Sequence, residues 1–93
     1  ASVSTAMREA QFVITNPTHF AIALSYDAAK ASAPIVLAKG KGDKALAMKE
    51  LANELDVPTL ELPQLARSLY FTTRERQMIC EDLYSAVAWV LAH

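Results

Sequence analysis

Phe12-Val-Ile-Thr-Asn-Pro-Thr-His-Phe-Ala-Ile-Ala-Leu-Ser-Tyr26 holds two apolar segments around one break. Phe12, Val13 and Ile14 form a run rich in β-branched residues, and Asn16-Pro17 interrupts it. After the break Phe20, Ile22 and Leu24 alternate with Ala21, Ala23 and Ser25. Period-two alternation is the pattern of a strand with one face in a core. The stretch therefore predicts two strands flanking a turn.

Working outward, Ser2 to Ala10 reads as a short helix, the tail of a linker helix over 1–10, with a globular core over 11–93. Downstream, Asp27 to Ala33 is small and polar, a loop, and Pro34 prepares an extended segment. Ile35, Val36 and Leu37 form a third strand ending at Gly40. Asp43 caps a helix running to about Asp56, with Met48, Leu51, Ala52 and Leu55 on one face. Val57-Pro58 stops that helix, and Thr59 to Leu62 is a fourth strand. Pro63 suits the first turn of a small helix through Leu69. Thr72-Thr-Arg-Glu75 matches a capping box opening a final helix whose stripe is Ile79, Leu83, Ala86 or Val87, and Val90. The expected fold class is α/β: a small mixed four-stranded sheet flanked by helices in a single domain, with a crossover from Ile35 to Leu62.

Composition bounds what such a domain does. Ninety-three residues, 53% hydrophobic and 20% charged, make one domain and exclude disorder. Nine basic against ten acidic residues give a net charge of −1, which argues against a nucleic-acid binder. A single cysteine, Cys80, forms no internal disulfide. The apolar run Ala86 to Ala92 is far shorter than a membrane span, and no signal sequence follows Ala1, so a soluble chain is expected.

The chemistry-bearing stretch is Asn16-Pro17-Thr18-His19. Asn-Pro is common in plain turns. It also permits a reaction that other Asn-X pairs rarely take. Proline has no N–H, so backbone attack on the Asn16 side chain is closed. The reverse attack remains: the Asn16 side-chain nitrogen closes on its own main-chain carbonyl, forming a succinimide and expelling Pro17. An amide nitrogen is a poor nucleophile, so the turn must hold the two atoms ~3–3.5 Å apart. His19 is a candidate for moving protons, worth ~10²–10⁴-fold when well positioned, and Thr18 for orienting the turn.

The segment from Phe12 to Tyr26 closely resembles the self-cleaving segment of the FlhB/YscU family, substrate-specificity switch proteins of type III export in flagella and injectisomes. Three further blocks agree in order: Ala33-Pro-Ile-Val-Leu-Ala-Lys-Gly40, Val57-Pro-Thr-Leu-Glu61, and Leu65-Ala-Arg-Ser-Leu-Tyr70 with Leu83-Tyr84 and Val87-Ala88. The resemblance covers nearly the whole chain, and the Ala38-Lys39-Gly40 block favours the flagellar branch. It implies a cytoplasmic domain attached to membrane helices outside this chain, at the cytoplasmic face of the bacterial inner membrane. It implies cleavage between Asn16 and Pro17, with Asn16 as nucleophile, Pro17 as leaving residue, and Thr18 and His19 in support. The fragments would stay associated, and the domain would act once on itself rather than turn over substrate. Implied partners are other export apparatus proteins and secreted substrates, with no cofactor. Two positions depart from the family: Trp89 stands where a polar or acidic residue is expected, and Cys80 where proline is frequent. Trp89 reads as core or half-buried, and Cys80 as buried and inert in the final helix.

A rival lies in the crossover. Gly40-Lys-Gly42-Asp-Lys-Ala45 matches G-x-G-x-x-A between a strand and a helix, and Glu61 follows at about the spacing of a ribose-binding acid. The alternative function is a small nucleotide-binding module. Asp43, at the helix N-terminus where a pyrophosphate would sit, opposes it. Lys39, Lys41, Lys44 and Lys49 cluster and could steer an acidic partner to the Lys39–Lys44 loop. Two His and one Cys lack any metal-ligand spacing.

Overall fold

The two strands around the break are β1 (Phe12–Asn16) and β2 (Phe20–Ser25), antiparallel, with Phe12 opposite Leu24 and Asn16 opposite Phe20. The computed structural model describes residues 3–17, 19–26, 29 and 33–92. A third strand, β3 (Ile35–Lys41), pairs antiparallel with β2, and β4 (Thr59–Glu61) pairs parallel with β1. The mixed sheet therefore runs β3-β2-β1-β4. α2 (Asp43–Glu54) makes the crossover from β3 to β4, carrying the chain past both central strands.

Strand alternation sends side chains to two cores. Phe12, Ile14, Ile22, Leu24 and Val36 meet Leu69 of α3 (Pro63–Thr72) and Val87 and Val90 of α4 (Tyr84–Ala92). Val13, Ala21, Ala23 and Ala38 meet Met48 and Ala52 of α2 and Met7 of α1 (Val3–Glu9). Met7, Ile14, Ile22, Leu24, Met48 and Leu69 are fully buried, each worth roughly 1.5–3 kcal/mol of apolar transfer. The second core is built of small residues, so its helices lie close to the sheet. At Gly40 a Cβ would fall 2.8 Å from Lys44 Cγ and 3.0 Å from Met48 Sδ of α2. A register shift between Ala23 and Leu24 pairs them with Ala38 and Val36 and leaves Leu37 extra. That bulge turns both Leu37 and Ala38 toward the second core.

Local chemistry ends the elements. Gly42, at φ 60° and ψ −128°, is the N-cap of α2, not Asp43, which occupies the first turn. At the other end Asp56 takes φ 57°, Val57 N–H donates to Ala52 O (2.8 Å) and Asp56 N–H to Asn53 O (3.4 Å). This is a Schellman motif, and it turns the chain into Pro58 and β4. The apolar face of α2 runs through Ala45, Met48 and Ala52, while Leu55 lies outside it, exposed.

The expected final helix from Thr72 does not form. Thr72 closes α3 instead, its hydroxyl donating to Ser68 O at 2.7 Å. Residues 74–79 run along β3: Arg76 N–H donates to Val36 O (2.6 Å), Val36 N–H to Gln77 O (3.0 Å) and Ile79 N–H to Pro34 O (3.0 Å). The outer edge of β3 needed these partners, since open strand edges leave backbone groups unpaired. Arg76 takes φ 70° on the way. Cys80 precedes a short 3₁₀ turn, Glu81–Leu83, and is half-buried outside the helix. Ile79, Val87 and Val90 are buried as expected. Trp89, expected in or near the core, is 59% exposed.

Glu75, read as the closing residue of a capping box, caps the sheet edge. Its carboxylate accepts Lys39 N–H at 3.0 Å and pairs with Lys44 Nζ at 3.2 Å. The backbone hydrogen bond from Lys39 holds the Glu75 carboxyl below the ordinary glutamate range, with Lys44 adding to it against partial desolvation. A depressed carboxyl stabilises the fold above its unfolded value, and that contribution fades as pH falls through the folded value. Glu75→Gln should therefore unfold at a lower temperature than the parent at neutral pH. The difference should close as pH drops below the ordinary glutamate value of about 4.3, measured by circular dichroism melts. Gly42→Ala should lose about 1–2 kcal/mol in urea unfolding, although no atom lies within 4 Å of the added Cβ, because φ is positive.

Candidate functional site

At the top of β1 the pleat ends at Asn16, half-buried, and Pro17 follows, exposed. The chain returns in a β-turn: His19 N–H donates to the Asn16 carbonyl at 3.0 Å. Proline at the second turn position presets φ. Thr18 lies outside the described residues. The Asn16 backbone carbonyl carries the His19 donor. Donors aimed at a carbonyl stabilise the charge that develops there on nucleophilic attack.

The turn is held from outside as well. Gly42 N–H donates to His19 O at 3.0 Å, tying it to the loop between β3 and α2. Lys49 of α2 reaches across and donates from Nζ to Pro17 O at 2.7 Å. Beside the turn lies a cleft of ≈ 580 Å³ between α2 and β4, lined by Thr15, Pro17, Lys49, Asp56 and Glu61 among others. On the opposite side, Phe20 packs against Tyr70 with tilted rings (centroids 4.7 Å) and meets Phe71 edge-on (5.6 Å). Phe71 is 67% exposed, and His19 lies 6.1 Å from the Phe20 ring.

Asn16, Pro17 and His19 are thus in one turn, and the glycine loop of the rival reading is its neighbour. That placement removes the dinucleotide site. Gly40 and Glu61 lie on β3 and β4, the two edges of the sheet, with β2 and β1 between them. Three strand spacings put these edges about 14 Å apart, whereas the fingerprint needs adjacent strands. The Gly42 N–H, which would face a phosphate, is taken by His19 O. Gly40 instead admits α2 to the sheet.

The lysine cluster is also largely engaged. Lys39 Nζ donates to Tyr70 O at 2.7 Å and sits 4.8 Å from the Tyr70 ring centroid. Lys44 pairs with Glu75, and Lys49 holds Pro17. Lys41 is exposed, opposite Phe20. Phe71 and Thr15 were invisible as site residues in the sequence. Lys49 entered the sequence reading only as one of the four clustered lysines, with no link to the Asn16–Pro17 turn. Among the described residues no group of three or more His, Cys, Asp or Glu could hold a metal ion. No described helix is long and apolar enough to cross a membrane.

Comparison with known proteins gives a consistent result. Residues 1–93 match the profile of the "FlhB HrpN YscU SpaS Family". The chain is 52% identical over 84 residues to the flagellar biosynthetic protein FlhB of Salmonella typhimurium, covering 90% of this chain and 22% of that protein. It is 42% identical over 85 residues to FlhB of Bacillus subtilis, covering 91% and 24%. It spans less than a quarter of these relatives. Among solved structures, the cytoplasmic domain of FlhB from Shewanella putrefaciens superposes with a TM-score of 0.91 at 39% identity, covering 97% of this chain and 69% of that one. A mutated EscU C-terminal domain superposes with a TM-score of 0.93 at 35% identity, covering 98% and 91%.

Proposed function

The chain belongs to the FlhB HrpN YscU SpaS family, and from that premise we propose that it is the cytoplasmic switch domain of a flagellar type III export protein that cleaves itself between Asn16 and Pro17. The parent protein carries its membrane helices outside this chain and holds the domain at the cytoplasmic face of the bacterial inner membrane. Its partners are export apparatus proteins and export substrates.

What carries the reading is the turn itself: the His19 N–H lies on the Asn16 carbonyl at 3.0 Å. In the reaction Asn16 Nδ2 bonds to the Asn16 carbonyl carbon and loses a proton. Negative charge gathers on the carbonyl oxygen, where the His19 N–H stabilises it. The bond from that carbon to Pro17 N then breaks, and Pro17 N takes up a proton and becomes a new N-terminus. No water is consumed until the succinimide opens. Thr18 and the His19 imidazole are assigned supporting roles, orientation and proton transfer.

The sheet supports continued association of the pieces. β1 is bonded on both sides, to β2 and β4. The segment ahead of the cut also buries Met7, Phe12, Val13 and Ile14. Cleavage would release the turn between the cleft and the exposed Phe71, changing the surface offered to partners while the body of the domain persists.

Purified chain incubated at neutral pH should yield two fragments, 1–16 and 17–93, that co-elute until denatured. Their masses should first sum to the parent mass and later to the parent plus one water. Asn16→Ala should stay intact, because no side-chain nitrogen remains; a cut at the same bond in that variant sinks the mechanism. His19→Ala retains its backbone N–H, so it should cleave more slowly, by ~10²-fold or more, rather than not at all.

A further inference from the structure

We infer that Lys49 is a positioning residue for the cleavage, holding the Asn16–His19 turn in its reactive geometry through the Pro17 carbonyl. This rests on the cleavage reading above. Its ground is independent of the motif: Lys49 is on α2, thirty-two residues along the chain from Pro17, and donates to Pro17 O at 2.7 Å.

The proline ring fixes φ at Pro17 and leaves ψ as its free torsion. Turns of types I and II differ in that torsion and in the φ that follows it, which together flip the peptide between the second and third positions. The direction of the Pro17 carbonyl therefore selects the turn, and Lys49 sets that direction. The selected turn delivers the His19 N–H to the Asn16 carbonyl at 3.0 Å. Gly42 N–H fixes the far side through His19 O, also at 3.0 Å. The turn is thus clamped at three carbonyls, one from within, one by the loop and one by Lys49.

Two features separate this role from ordinary stabilisation. The Lys49–Pro17 bond is exposed to solvent, and exposed polar contacts contribute little to folding. Its acceptor, however, adjoins the bond to be broken, where a small displacement of reacting atoms costs rate steeply. Lys49 also stands in the cleft with Asp56 and Glu61. Loss of its ammonium would leave the turn beside two carboxylates, a poor setting for a developing oxyanion.

The test compares the parent chain with Lys49→Met and Lys49→Arg, following the 17–93 fragment by mass spectrometry and the fold by thermal unfolding. Lys49→Met should cleave on the order of 10- to 100-fold more slowly with an unchanged melting midpoint. Lys49→Arg, which keeps the charge and a donor, should stay within about threefold of the parent. Parent-like cleavage in Lys49→Met overturns the inference and leaves the cleavage reading standing. Slowing accompanied by a lower melting midpoint, and not restored by arginine, marks a purely structural lysine and overturns it too. A parent chain that never cleaves overturns the cleavage reading, and the role of Lys49 falls with it.

Discussion

The antiparallel register that sets Asn16 opposite Phe20 governs the rest of the molecule. A slip of one residue would turn β1 over relative to β2. Phe12 and Ile14 would then point at α2, against a core sized for alanines. The same register ends β1 at Asn16 and leaves the Asn-Pro pair to close the hairpin. The position of the turn is therefore a consequence of packing on both faces of the sheet. β4, added parallel on the far side of β1, locks the strand and forms one wall of the cleft beside Pro17.

Two sequence motifs that seemed to compete share one corner. The glycine loop after β3 places the N-terminus of α2 against the turn, and Gly42 N–H spends its donor on His19 O. Gly40 contributes by what it lacks, since a side chain there would push on Lys44 and Met48. The pattern G-x-G-x-x-A is thus explained by a close helix–strand approach and a positive φ, which phosphate loops also require. Similar backbone demands produce similar sequences. The strand order distinguishes them.

The segment from Thr72 to Leu83 departs most from its local signals. Thr72 to Glu75 has the composition of a helix start, yet it finishes one helix and then pairs with β3. A capping box is worth one or two reciprocal hydrogen bonds. The edge of β3 offered more: backbone partners for Arg76, Gln77 and Ile79, and a cap by Glu75 on Lys39 N–H. Trp89 went outward for a related reason. Val87 and Val90 already fill the α4 side of the core, and Trp89 instead borders an apolar groove of ≈ 510 Å³ with Leu65 and Pro63.

The sequence by itself determined the order of elements, the strand alternation and the residues for which we propose chemistry. These are local properties: a period of two, a missing N–H, a fixed φ. Tertiary structure alone decided that the Asn16–His19 turn meets Gly42 and Lys49, that Glu75 guards a strand edge, and that Gly40 and Glu61 lie on opposite edges. Each depends on which unpaired backbone group or open surface a distant segment presents, and no window of neighbouring residues encodes that.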